Sequence, residues 1–238
     1  MSGADDKLPV QKSTAEEVEA FLRKVATTPG VKAPGHQGRL LFAIDATASR
    51  EPTWDIACQI QAEMFSATHA LGGLAVQLAF YRGFGEMKVS AWLASADALV
   101  RRMTQVRCLA GRTQIGKVLR HAIRETEARK VDAVVFVGDV VEEDVDTLGD
   151  FAGRLGLLGT PVFIFHEGGE PVSRRVFEQI ARLSGGACCS FDAGSATQLK
   201  ALLAAVAVYS AGGRAALEDY GKRAGGKVLQ LTHQLGRR

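Results

Sequence analysis

Two runs in this chain, Leu40–Ile44 and Ala133–Val137, are apolar at every position. A strand without polar alternation needs cover on both faces, which calls for a mainly parallel sheet with helices packed on either side. The rest of the chain supplies such elements in alternation. Periodicity and turn residues predict strands at 40–45, 74–81, 87–93, 132–138, 161–166 and 187–191, with helices at 53–70, 96–106, 114–129, 143–155, 173–184 and 196–210. One pair departs from the alternation. Ala75–Tyr81 and Lys88–Leu93 are separated only by Arg82-Gly83-Phe84-Gly85-Glu86, too short for a crossover helix, so they form a hairpin that sets one antiparallel strand at a sheet edge. The predicted fold is a three-layer, doubly wound, Rossmann-like α/β sandwich.

At 238 residues and 47% hydrophobic content the chain can bury one good α/β core and is short for two. Residues 13–25 read as a helix opened by a capping box, Ser13-Thr14-Ala15-Glu16. The Gly/Pro stretch 27–35 then sets residues 1–35 apart as an N-terminal helix and linker. The main domain is expected over 36–210, and 211–238, with its paired glycines and terminal arginines, as a partly mobile tail. The net charge of +3, from 29 basic and 26 acidic residues, gives no reason to expect nucleic acid or a membrane as partner. No run of 18 apolar residues and no signal-like N-terminus is present, so the expected location is cytoplasmic. Cys58, Cys108, Cys188 and Cys189 form no CxxC pair and read as buried thiols. The five histidines have no ligand or triad spacing and read as satisfied or solvent-facing.

The chemistry-bearing stretch is Asp45-Ala46-Thr47-Ala48-Ser49, directly after the first apolar strand. In an extended backbone these alternate oxygens point the same way, just past a strand end where open α/β sheets hold ligands. Oxygen-only ligation suits Mg²⁺, Mn²⁺ or Ca²⁺. The plain alternative is capping of the helix that begins near Pro52. Two further oxygens fall on the same rim: Thr113, in a loop entering a long helix, and Asp139, after the apolar strand ending at Gly138. Taken singly, each reads as a helix cap or a strand-end carboxylate.

In that order and rough separation these residues resemble the metal-ion-dependent adhesion site (MIDAS) of von Willebrand factor A (VWA) domains, with Asp45, Thr47 and Ser49 matching Asp-x-Ser-x-Ser, then Thr113, then Asp139. The chain departs from the pattern at Thr47, where the family has serine; the hydroxyl is kept and a methyl added. The resemblance spans roughly residues 38–208 and implies an intracellular VWA-like module. It would hold Mg²⁺ (or Mn²⁺ or Ca²⁺) and leave one coordination position for a carboxylate of a partner protein. Relatives of this kind imply an assembly with an AAA-type ATPase, and recognition without turnover.

Two other readings compete. Asp45 with Gly138-Asp139 and Glu142-Glu143-Asp144 is similar to the haloacid-dehalogenase-like phosphotransferases, with Asp45 as nucleophile and Lys117 or Lys130 beside the phosphate. Thr47 stands where most of those enzymes have a general-acid Asp, and residues 142–144 read more simply as the acidic first turn of a helix. A metal-free scaffold domain is the other alternative. Gly111-x-x-x-x-Gly116-Lys117 matches a phosphate-binding loop except at Val118, and no strong strand leads into it. Seven basic residues, Arg101, Arg102, Arg107, Arg112, Lys117, Arg120 and Arg124, cluster around the Thr113 loop; a solvated helix face is the ordinary explanation, and affinity for an acidic partner the other.

Overall fold

The computed structural model describes residues 14–27, 37–50, 73–191 and 196–223. Six strands form one sheet: β1 (Gly38–Asp45), β2 (Leu74–Arg82), β3 (Glu86–Leu93), β4 (Ala133–Gly138), β5 (Val162–Glu167) and β6 (Cys188–Phe191). Their order is β3-β2-β1-β4-β5-β6; every neighbouring pair is parallel except the β2–β3 hairpin at one edge. The described helices are α1 (Ala15–Thr27), α2 (Ala96–Met103), α3 (Ile115–Ala128), α4 (Val145–Leu157), α5 (Pro171–Ser184) and α6 (Ala196–Arg223). The helix expected at 53–70 lies outside the described residues.

Alternate strand residues feed two apolar layers, the physical meaning of an all-apolar strand. Leu40, Phe42, Ile44, Val135, Val137, Phe163 and Phe165 pack with α1, α2 and α6. Leu41, Ala43, Val134, Phe136, Val162 and Ile164 pack with α3, α4 and α5 on the other face. The three-layer sandwich with one antiparallel edge strand is as the sequence predicts.

Three sequence expectations change. Helix α1 is part of the core: Val18, Phe21, Leu22 and Val25 are buried, and the Phe21 ring lies 5.8 Å from Phe163 and 5.4 Å from Phe165. Its capping box is one residue later than expected, with the Glu17 amide donating to Thr14 Oγ1 at 3.2 Å and the Thr14 amide to the Glu17 carboxylate at 2.8 Å. Helix α6 is two helical stretches broken at Gly213, whose φ of 66° a side chain would oppose, close to the end expected near residue 210; what differs is the second stretch, where Ala216 and Tyr220 rest against the core instead of lying in a mobile tail.

Of the described cysteines Cys108, Cys188 and Cys189, only Cys189 is fully buried, and Cys188 is half-buried with its thiol pushed far up by desolvation. No described helix is long and apolar enough to cross a membrane.

Candidate metal centre at the sheet switch point

From central β1 the chain moves to β2 on one side and later to β4 on the other, so the carboxyl ends of β1 and β4 form the switch point where doubly wound sheets open a crevice. Asp45 is the last residue of β1. It is paired with Tyr81 of β2, and the β1–β4 register, which matches Ile44 with Val137, sets Asp45 beside Gly138. A Cβ on Gly138 would stand 2.8 Å from the Phe136 ring and 3.7 Å from the Asp45 Cβ, so glycine keeps this crevice open.

Asp45 is fully buried. Its Oδ1 accepts the Thr47 amide at 2.7 Å and its Oδ2 accepts the Tyr81 hydroxyl at 3.1 Å. Burial pushes its pKa up to about 6 against the pull of the Thr47 and Tyr81 hydrogen bonds, and the nearby Asp139 charge adds to the rise. Tyr81 is buried against Phe136; desolvation, then the Asp45 charge, holds its hydroxyl protonated and available as donor.

Thr47 and Ser49 bring their hydroxyl oxygens to 3.1 Å from one another. The reason differs from strand alternation. The strand ends at Asp45, the chain bends at Thr47, and Ala48–Arg50 form a 3-10 turn; the turn, not an extended backbone, brings the pair together. The added methyl of Thr47 is accommodated with the hydroxyls adjacent.

Thr113 is tied to the loop after β4. Its amide donates to the Glu142 carboxylate at 3.0 Å, and the Glu142 amide donates to Thr113 Oγ1 at 3.1 Å. Thr113 is therefore not the cap of α3. Glu143 performs that role, accepting the Ile115 amide on one oxygen and the Gly116 amide on the other at 2.9 Å. The reading of 142–144 as a first helical turn is corrected: α4 starts at Val145, capped by Asp144 through the Thr147 amide at 2.8 Å. Asp139 opens this acidic loop, and its carbonyl accepts from His166 Nε2 at 3.0 Å. That bond makes Nε2 the protonated nitrogen of a buried, neutral imidazole, and burial lowers its pKa. Its Nδ1 is buried with no partner among the described residues, so His166 is only half satisfied.

The structure thus joins Asp45, Thr47 and Ser49 through one turn, sets Asp139 beside Asp45, and binds Thr113 to Glu142, three residues past Asp139. Sequence reasoning missed Tyr81 and His166, and it named Glu142 and Glu143 in other roles, as part of a phosphotransferase-like cluster or a first helical turn and not as the groups that hold Thr113 and the start of α3.

The donor set fits a hard cation. Mg²⁺ holds oxygens at about 2.1 Å in an octahedron, so adjacent ligands stand about 3.0 Å apart, close to the 3.1 Å between the two hydroxyls. Among the described residues no three His, Cys, Asp or Glu side chains gather as a metal centre, so an ion here depends on hydroxyl oxygens.

The competing sites fare worse. A phosphate loop at Gly111–Lys117 would need the amides of Ile115 and Gly116, which Glu143 already holds, and Lys117 Nζ is spent on Gly85 O and Gln114 Oε1, both at 2.8 Å. Lys130 bonds Leu158 O, Gly159 O and Thr160 Oγ1 at the opposite end of the sheet, far from any phosphate on Asp45.

No family model matches the sequence, and no curated protein matches it. Solved structures do. The VWA domain of SpRpn10 superposes with a TM-score of 0.53 at 14% identity, covering 75% of this chain and 97% of that one. Proximal thread matrix protein 1 of the mussel byssus, with a zinc-occupied MIDAS motif, gives 0.54 at 14% identity over 74% of this chain and 46% of that protein. The PilB minor pilin of Streptococcus sanguinis gives 0.54 at 11% identity over 84% and 65%. This chain has the VWA-type Rossmann-like fold, and spans less than two thirds of the byssus protein and the pilin.

Proposed function

We propose that this protein is a recognition module that engages another protein through a divalent cation at the switch point, held by the hydroxyls of Thr47 and Ser49 with Asp45, Asp139 and Thr113 as direct or water-bridged ligands. The observation that carries this reading is the 3.1 Å hydroxyl pair standing in front of a buried carboxylate. A cation held mainly by neutral oxygens keeps a coordination position for an external carboxylate. The chain's own residues do the rest. Thr47 and Tyr81 orient Asp45, Glu142 fixes Thr113, and Glu143 fills the amide end of α3, so that no outside anion is drawn there.

The same geometry weighs against Asp45 as a nucleophile. Its oxygens are out of solvent and each already accepts a hydrogen bond, and the neutral form gains ground as pH falls toward 6. Recognition without turnover is the function proposed.

Calorimetric titration of Mg²⁺ and Mn²⁺ into the wild type and into Asp45→Ala and Ser49→Ala variants tests it. Saturable binding to the wild type that both variants lose supports the site; indistinguishable heats from all three proteins remove it.

A further inference from the structure

The hairpin tip and the loop ahead of α3 form a continuous wall beside the candidate metal centre. The Leu109 amide donates to Ala46 O at 3.1 Å, between Asp45 and Thr47. The Arg112 amide donates to Gly83 O at 3.1 Å, Gln114 Nε2 to Arg82 O at 3.2 Å, Arg82 to Arg107 O at 2.7 Å and Lys117 to Gly85 O at 2.8 Å. Gly111 lies so close to Gly83 that a Cβ on it would stand 2.0 Å from Gly83 O. Four of these bonds hold the hairpin tip against the loop and the first turn of α3, and the fifth ties the loop to the end of β1, so the surface is fixed from two sides.

That surface presents large apolar groups. Phe84, at the hairpin tip, is 85% exposed and Leu109 is 46% exposed. Burying neither serves the fold. The segment 101–124, which includes the loop, contains seven Lys and Arg and no Asp or Glu, in a chain whose total charge is only +3, and the neighbouring carboxylates Glu86, Glu142 and Glu143 are engaged within the fold. Arg107 and Arg112 are exposed, and among the described residues no carboxylate pairs with either; by contrast Arg82 and Lys88 on the neighbouring strands both engage Glu86. Exposed aromatic and aliphatic groups among unneutralised arginines have the composition of an interface.

We infer that this wall is a docking surface for an acidic linear segment of a partner protein carrying a bulky apolar residue. The apolar side chain would seat against Phe84 and Leu109, and flanking carboxylates would face Arg107 and Arg112. This deepens the proposed function, since the segment would run alongside the metal centre, but the wall requires no cation of its own. An arginine presents a planar fork that matches a carboxylate, so the charge selects acidic side chains and raises the association rate, while the aromatic group supplies most of the retained affinity.

The test is fluorescence anisotropy with a fluorescein-labelled peptide, Gly-Asp-Glu-Phe-Asp-Glu-Gly, in the presence of EDTA, so that the wall is read separately from the metal. The wild type should bind, and binding should weaken severalfold between about 50 and 300 mM salt as surface charges are screened. Arg107→Glu with Arg112→Glu, and separately Phe84→Ser, should each weaken it by roughly tenfold or more, as loss of a central anchor or paired charge does. All are exposed positions, and circular dichroism verifies folding. A peptide with Ala in place of Phe should bind weakly.

Equal binding of an oligonucleotide of the same charge would overturn the assignment in favour of a general polyanion site. Binding unaffected by Phe84→Ser and the double arginine variant would place the peptide elsewhere, and no binding by the wild type in EDTA would also overturn it. None of these results touches the metal reading, which stands or falls on the calorimetric comparison of the wild type with the Asp45→Ala and Ser49→Ala variants.

Discussion

Asp45 is costly to the metal-free fold, and removing only its charge should reveal that. Its carboxyl has a folded-state pKa of about 6 against an ordinary value of 3.8. The folded value is the higher one, so the protonated form favours the folded state. That contribution is fully present below about pH 3.8 and lost as pH rises through 6, and roughly 2 pK units correspond to about 3 kcal/mol. Asp45→Asn keeps an oxygen for the Thr47 amide and has no charge to desolvate. In EDTA near pH 7.5 it should be more stable than the wild type by about 1–3 kcal/mol, or about 3–10 °C in Tm for a chain of this size. Near pH 5 the folded carboxyl is mostly protonated but the unfolded one is still ionised, so the gain should fall only to about half, and it should drop below about 1 kcal/mol near pH 4. Saturating Mg²⁺ should raise the melting temperature of the wild type and leave that of Asp45→Asn where it was. Urea and thermal melts of both proteins across pH, with and without Mg²⁺, make the comparison. A variant less stable than the wild type near pH 7.5 in EDTA, by the same margin as near pH 5, would refute the reasoning: Asp45 would then be a structural anion and not a buried charge awaiting a counter-ion.

Three other substitutions test the scaffold. Glu143→Gln replaces one of the two oxygens that hold the Ile115 and Gly116 amides with an N–H donor; a loss of about 1–2 kcal/mol in urea unfolding is expected, with weaker cation binding because the Thr113 loop is released. Gly111→Ala puts a Cβ into the Gly83 backbone, which neither side can relieve by a rotamer change, so about 2–4 kcal/mol should be lost and hydrogen exchange at the 106–114 amides should quicken. Phe21→Ala, on α1, removes a ring packed on Phe163 and Phe165 and should cost about 3–4 kcal/mol by chemical denaturation; a negligible loss would show that α1 is dispensable to the core.

Much of the architecture was legible because burial leaves a local trace. All-apolar runs such as Ala133–Val137 announce a sheet covered on both faces, and the short connection 82–86 admits only a hairpin. Helix α1 misleads because Gly and Pro in the stretch after it look like a domain boundary, while the contacts that absorb it, from Phe21 to Phe163 and Phe165, join residues more than a hundred positions apart. Beyond residue 210, Gly212-Gly213 reads as a stop and Gly213 does break the helix; what was hidden, for a similar reason, is that Ala216 and Tyr220 of the second stretch pack on the core.

By itself, then, the sequence determined the layer architecture and the place of the candidate residues in it: Asp45, Thr47, Ser49, Thr113 and Asp139 each follow a strand or precede a helix, and that position is a local property. The tertiary structure alone decided how those oxygens are held. Tyr81 reaches Asp45 only because β2 pairs with β1 in one register, Glu142 and Glu143 cap the loop and helix of another βα unit across 27 to 29 residues, and Leu109 meets Ala46 across the crevice. Periodicity reports which face of an element is dry. It carries no record of which polar group on a distant strand will satisfy a donor left open at a helix end, because that choice is made only when the sheet register and the packing of the two helical layers bring the partners within hydrogen-bonding distance.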